Sequence, residues 1–191
     1  MTNDDMNTQL TEKFEQALIY ATRLHAKQRR KTNGIPYISH LLSVAALVLE
    51  DGGSEAEAIA ALLHDAVEDQ GGAATRQDIL HRFGEQVVAI VEGCTESDTD
   101  IKPPWRERKQ GYLNQLRQGS DAVRRVALAD KLHNARSLVM ETRCQGEEIW
   151  SVFSAGKQGT LWFYHAFLDL YRTPNPSPMV AELAQVVSTL E

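Results

Sequence analysis

The chain has 191 residues, 42% of them hydrophobic and 24% charged, which suits one domain with a substantial core and excludes wholesale disorder. A formal net charge of −6 argues against a general nucleic-acid binder, which carries a basic surplus, and leaves room for a local basic pocket facing a phosphorylated small molecule. Cys94 and Cys144 stand far apart with no CxxC pattern, the acidic N-terminus has no apolar signal core, and no apolar run nears the roughly 18 residues of a membrane span, so a soluble protein of the reducing cytoplasm is expected.

Residues 1–10 are polar and are expected to form a flexible N-terminus ahead of a domain over 11–172. From Thr11, Phe14, Ala17, Leu18, Ala21 and Leu24 follow the helical period. This first helix runs into the basic cluster Arg29-Arg30-Lys31 and stops at the loop signal Thr32-Asn33-Gly34-Ile35-Pro36. A second helix is expected from about Ser39 to Asp51. Ser54 and Glu57 form a capping box that opens a third, read as continuous to Gln70. A short helix from about Thr75 to Phe83 follows, then one from Glu85 to Cys94. Residues 95–104 read as a loop, Trp105 to Arg117 as a charged helix, Asp121 to Thr142 as a longer one and Ser154 to Tyr171 as the last long one. The prolines of 173–178 break the pattern, and 173–191 is read as that break plus a short terminal helix. No repeat and no strand alternation is evident. The expectation is an all-α, single-domain helical bundle.

The stretch Ala60 to Asp69 carries the chemistry. Apolar residues lead into His64-Asp65, and Glu68-Asp69 follow one turn later; in a continuous helix Glu68 lies beside both His64 and Asp65. Four ionisable groups at a core edge are costly to desolvate unless a metal or a network takes them up. His40 and Asp130 add an imidazole and a carboxylate at helix positions beside apolar residues. Mixed nitrogen and oxygen ligands suit a divalent first-row metal, with Glu68 and Asp69 outside the ligand set, where a carboxylate can orient or deprotonate an attacking water.

The segments Pro36-Tyr37-Ile38-Ser39-His40, His64 to Asp69 and Ala127 to Arg136, in that order and spacing, resemble the successive motifs of the HD-domain phosphohydrolases. More narrowly they are similar to the (p)ppGpp hydrolase domains of Rel/SpoT proteins and the small stand-alone alarmone hydrolases, over roughly residues 14–140. The resemblance implies an all-helical Mn²⁺ enzyme that removes the 3′-pyrophosphate of (p)ppGpp or (p)ppApp. It assigns His40, His64, Asp65 and Asp130 as metal ligands and Glu68 and Asp69 as the catalytic pair. Arg30, Lys31 and Asn134, with Ser137 or Arg136 beside it, fall on the substrate-binding positions. Arg30 would pack on the base, because a guanidinium plane stacks on a purine while presenting charge to phosphate. Leu41 stands where the family usually has proline, and the 32–35 loop is slightly longer, which leaves Arg29 or Arg30 open. No synthetase region follows, so alarmone synthesis is not expected.

Other residues have two readings. Arg106, Arg108 and Lys109 either serve substrate phosphates or form a solvated, Glu-paired helix face. His133 shares a face with Asp130 and is either its supporting partner or a plain core or surface histidine; His25 and His81 read as structural. Trp162 to His165 reads as core, with Tyr164 a possible pocket wall. Competing functions are a phosphatase on another nucleotide such as NADPH, a non-catalytic nucleotide sensor on the same fold, and a purely structural helical protein.

Overall fold

A computed structural model describes residues 8–97 and 103–191. Among them the regular structure is helical: α1 Glu12–Leu24, α2 Ile38–Glu50, α3 Glu55–Leu63, α4 Ala66–Asp69, α5 Gly72–Phe83, α6 Glu85–Cys94, α7 Trp105–Gln118, α8 Asp121–Gln145, α9 Gly156–Leu168 and α10 Pro178–Ser188. Short 3-10 segments at Gly146–Val152 and Asp169–Tyr171 flank α9. None of these helices is long and apolar enough to cross a membrane.

The centre of the bundle is α3. Ala58 to Leu63 are all inaccessible to solvent, because a helix apolar on every side must be covered on every side. It packs against α1, α2, α6 and α8. Its N-terminus carries the capping box: the Ser54 side chain accepts from the Glu57 backbone N–H, and Glu57 accepts from the Ser54 N–H. The Glu57 carboxylate also pairs with Arg125 of α8, whose Nε reaches Asp51 at 3.0 Å. Gly93 permits the close approach of α6 to α8, since a Cβ there would lie 2.5 Å from Val123 Cγ2.

The expected helices are found, most of their ends within about three residues of those expected, and three differences have local causes. The central helix stops at Leu63, and Asp65 (φ −96°, ψ −1°) opens the separate turn α4. In an unbroken helix adjacent side chains diverge by about 100°; the break lets His64 and Asp65 converge on one point. The next helix begins at Gly72, not Thr75: Gly71 at φ 124° reverses the chain, and the Thr75 hydroxyl donates to the Gln70 carbonyl at 2.7 Å instead of capping. The 3-10 segment after α8 was not anticipated; it buries Ile149 and Trp150 beneath α9. At the N-terminus the Thr8 hydroxyl donates to the Gly53 carbonyl at 2.8 Å, so residue 8 is attached to the domain, and the rest of the expected flexible segment, 1–7, lies outside the described residues. Residues 98–102 of the expected 95–104 loop also lie outside them.

Candidate active site

Three segments of the bundle meet beside the cavity. The first turn of α2 supplies His40, the break between α3 and α4 supplies His64 and Asp65, and the middle of α8 supplies Asp130. His64 Nε2 lies 3.0 Å from Asp65 Oδ2 and 3.7 Å from Asp130 Oδ1; His40 Nε2 lies 3.2 Å from Asp130 Oδ1 and 3.7 Å from Asp65 Oδ2. Both imidazoles are buried, and both Nε2 atoms lack a well-formed hydrogen bond. One donor atom from each of His40, His64 and Asp65 falls within 4.8 Å of the others, a grouping able to hold a metal ion.

The opposite ring nitrogens are engaged. His64 Nδ1 lies 2.8 Å from the Ala61 carbonyl, which can only accept, so Nδ1 carries a proton and Nε2 is the nitrogen turned toward the carboxylates. His40 Nδ1 lies 2.7 Å from His133 Nδ1. Burial first, and then the neighbouring His40, hold His133 down to about 4, so at neutral pH it is uncharged and able to accept a His40 Nδ1–H. That orientation leaves Nε2 as the free lone pair, which is how metal-ligating histidines are fixed. Tyr37 donates its hydroxyl to Asp65 Oδ2 at 2.5 Å; burial and the Asp65 charge keep the phenol protonated. Burial opposes charge on His64, yet Asp65 and then Asp130 raise its proton affinity, and the same negative potential attracts a cation. The donor set therefore fits a divalent metal.

The two acids on α4 are held from different sides. Glu68 Oε2 accepts the Glu96 backbone N–H at 3.3 Å, and Asp69 Oδ2 accepts Gln28 Nε2 at 2.7 Å. Gln28 also receives Gln70 Nε2 and lies 2.6 Å from His25 Nδ1, with the His25 ring stacked on Tyr37. His25 is thus buried structure beneath the site.

A cavity of about 400 Å³ opens beside the cluster, lined by residues that include Arg30, Lys31, Tyr37, Lys131, Asn134 and Ser137. Asn134 bridges it: its amide donates to Asp130, and its Oδ1 accepts Arg30 Nη2 at 2.8 Å. Arg30 also lies 5.9 Å from the Tyr37 ring centroid. Arg29 instead points to the Gly34 carbonyl on the exposed side, so of the two arginines it is Arg30 that lines the cavity. Lys31 lines the cavity with its Nζ on the Val152 carbonyl at 3.0 Å. Arg136 does not reach the cavity. It lies two residues beyond Asn134, about 200° around the helix, and pairs with Glu182 of α10 at 2.6 Å.

Three further cations line the cavity. Lys131 Nζ is 2.5 Å from Asp130 Oδ2. Lys109 and Lys131 stand 4.7 and 6.0 Å from the Phe163 centroid. Arg108 and Lys109 both pair with Glu96, at 2.7 and 2.6 Å, and are mostly buried. Burial, and then Lys131, push the Lys109 pKa down, the mark of crowded positive charge. The basic stretch thus divides: Arg106 lies over Trp162 at 3.1 Å from its centroid, while Arg108 and Lys109 turn inward. Tyr164 is buried and lines the cavity. Sequence reading passed over Tyr37 and Lys131, although both lie inside the quoted motifs, and it offered His133 to Asp130 where the contact is with His40.

A model of the HD domain matches residues 17–161. A Homo sapiens protein named guanosine-3′,5′-bis(diphosphate) 3′-pyrophosphohydrolase MESH1 is 39% identical over 139 residues, covering 71% of this chain and 73% of that one. The Brucella ovis GTP pyrophosphokinase rsh is 39% identical over 137 residues, 70% of this chain but 18% of the relative's length. Among solved structures, a metazoan ortholog of SpoT described as hydrolyzing ppGpp superposes with a TM-score of 0.77 at 26% identity, covering 94% of this chain and 96% of that one.

Proposed function

This chain belongs to the HD-domain family, and from that premise we propose that it removes the 3′-pyrophosphate of an alarmone nucleotide, (p)ppGpp or (p)ppApp, releasing pyrophosphate. The observation that carries the reading is the junction of two features: two buried imidazoles, with the carboxylates of Asp65 and Asp130, stand beside a cavity lined by Arg30, Arg108, Lys109 and Lys131. A pyrophosphoryl group needs both.

His40, His64, Asp65 and Asp130 would hold a divalent cation, Mn²⁺ in this reading. Such an ion supplies positive charge to phosphoryl oxygens and acidifies water. Glu68, with Asp69 beside it, takes the proton of the attacking water. That water's oxygen bonds to the phosphorus next to ribose O3′, the bond from that phosphorus to O3′ breaks, O3′ takes up a proton, and pyrophosphate leaves. Lys109 and Lys131 bind the charged oxygens in a partly desolvated site, where such contacts are stronger than in water. Asn134 and Ser137 face the ribose, and Arg30 lies along the base. Lys31 acts one step back, tying the 30–36 loop to Val152. The hydrolase domain would span 11–172.

The test is a Mn²⁺ assay on ppGpp, ppApp and NADPH that resolves nucleotides, pyrophosphate and orthophosphate, beside Asp65→Ala and Glu68→Ala. Pyrophosphate release lost in both variants is the expected result. Orthophosphate from NADPH alone would move the chain to the phosphatase reading. No turnover by folded, metal-loaded protein would leave a nucleotide sensor in its place.

A further inference from the structure

Glu141 is a carboxylate 6% exposed that nevertheless lines the cavity. Its two oxygens are used unequally. Oε1 accepts both the Thr32 hydroxyl at 2.6 Å and the Asn33 side-chain amide at 2.7 Å, and among the described residues Oε2 has no hydrogen-bond donor. Each carboxylate oxygen has capacity for two donors, so Oε2, on a residue that lines the cavity, can take a donor from a bound molecule. Resting on the reading of the cavity as an alarmone site, we propose that Glu141 selects the base, accepting the N–H edge of guanine and turning adenine away.

Position along α8 supports this. Asp130 lies at the metal-type cluster, Asn134 one turn on, and Glu141 eleven residues beyond Asp130, roughly 16 Å along the axis. That spacing runs from the reacting phosphate, past the ribose, to the far edge of a nucleotide. The lining also includes Leu138, Val152 and Phe153, with Lys31 on the Val152 carbonyl at 3.0 Å. Apolar side chains with one acceptor among them suit a purine. Guanine offers N1–H and the 2-amino group to such an acceptor, whereas adenine offers its N1 lone pair, and a site built for a donor rejects a base that lacks it.

The hydrogen bonds on Oε1 also fix what Glu141→Gln would do. Thr32 and Asn33 both donate, so the amide oxygen of a glutamine must stay with them and its NH₂ must face the cavity. The edge then changes from acceptor to donor. The experiment measures kcat/KM on ppGpp and ppApp for the wild type, Glu141→Gln and Asn33→Ala. The wild type should favour guanine, and Glu141→Gln should move the guanine-to-adenine ratio roughly tenfold or more toward adenine, chiefly through KM. Asn33→Ala, which loosens the loop without altering the edge, should weaken both substrates alike. A ratio unchanged in Glu141→Gln, or moved equally by Asn33→Ala, overturns the inference while the hydrolase reading stands. Failure of the wild type on both nucleotides ends both.

Discussion

Glu68 and Asp65 separate two kinds of loss. Glu68 is held by the Glu96 N–H and lies outside the ligand grouping, so Glu68→Gln should lower kcat by about 10²–10⁴-fold, the usual range for a general base, with KM and bound metal unchanged. Asp65 belongs to the grouping, so Asp65→Ala should lose bound metal, read by elemental analysis of the purified protein. A Glu68→Gln protein that also lost its metal would show that the two sets of acids had been wrongly divided. At this scale the sequence was informative where a residue sits in a motif and weak where a contact crosses the fold. His40, His64, Asp65 and Asp130 could be picked out because their types and order are unusual. The His133 contact with His40 and the turn of Arg136 toward Glu182 depend on helix rotation, which no local pattern encodes.

Elements were legible wherever caps and periodicity agree, as at Thr11, Ser54 and Ser120, each of which caps its helix. They were illegible where tertiary packing overrides a good helical pattern, as at His64-Asp65. The join of α3 to α8 has a pH signature. Burial works to raise the Glu57 pKa, but the Ser54 hydrogen bonds and Arg125 overcome it, and the net shift is downward. A depressed carboxylate adds stability above its unfolded value of about 4.3, and that stability is lost as pH falls through the folded value. Glu57→Gln should therefore be destabilised at neutral pH, by about 1–3 kcal/mol for breaking a buried charged network, with the gap to wild type closing under acid. Urea denaturation at both pH values measures this; an equal gap at each would refute it. Nearby, Gly93→Val would press on Val123 and cost about 1–3 kcal/mol by overpacking, lowering Tm without altering the site's order of substrate preference.

The whole molecule is acidic, with net charge −6, yet its cavity gathers five cationic side chains, Arg30, Lys31, Arg108, Lys109 and Lys131. The surrounding surface repels a polyanion that the cavity attracts, so binding depends on short-range contacts more than on long-range steering. Substrate KM should still rise with salt, because screening weakens the contacts that remain partly exposed, and Lys109→Met should flatten that dependence. A slope left unchanged by the substitution would mean that Lys109 does not touch phosphate.

Glu96 gives the cavity an unusual ledger of charge, since it sets one carboxylate against Arg108 and Lys109 before any nucleotide arrives. It acts as a resident counter-ion. An incoming phosphate does not meet bare cations but exchanges with an anion already seated there, and a departing one is replaced by the same anion. Such an exchange sacrifices tightness for release, which matters where the leaving group, pyrophosphate, is itself a strong ligand for lysines. Glu96→Gln should then bind pyrophosphate more tightly and show stronger product inhibition, a change measured by the inhibition constant and not by the rate of the first turnover.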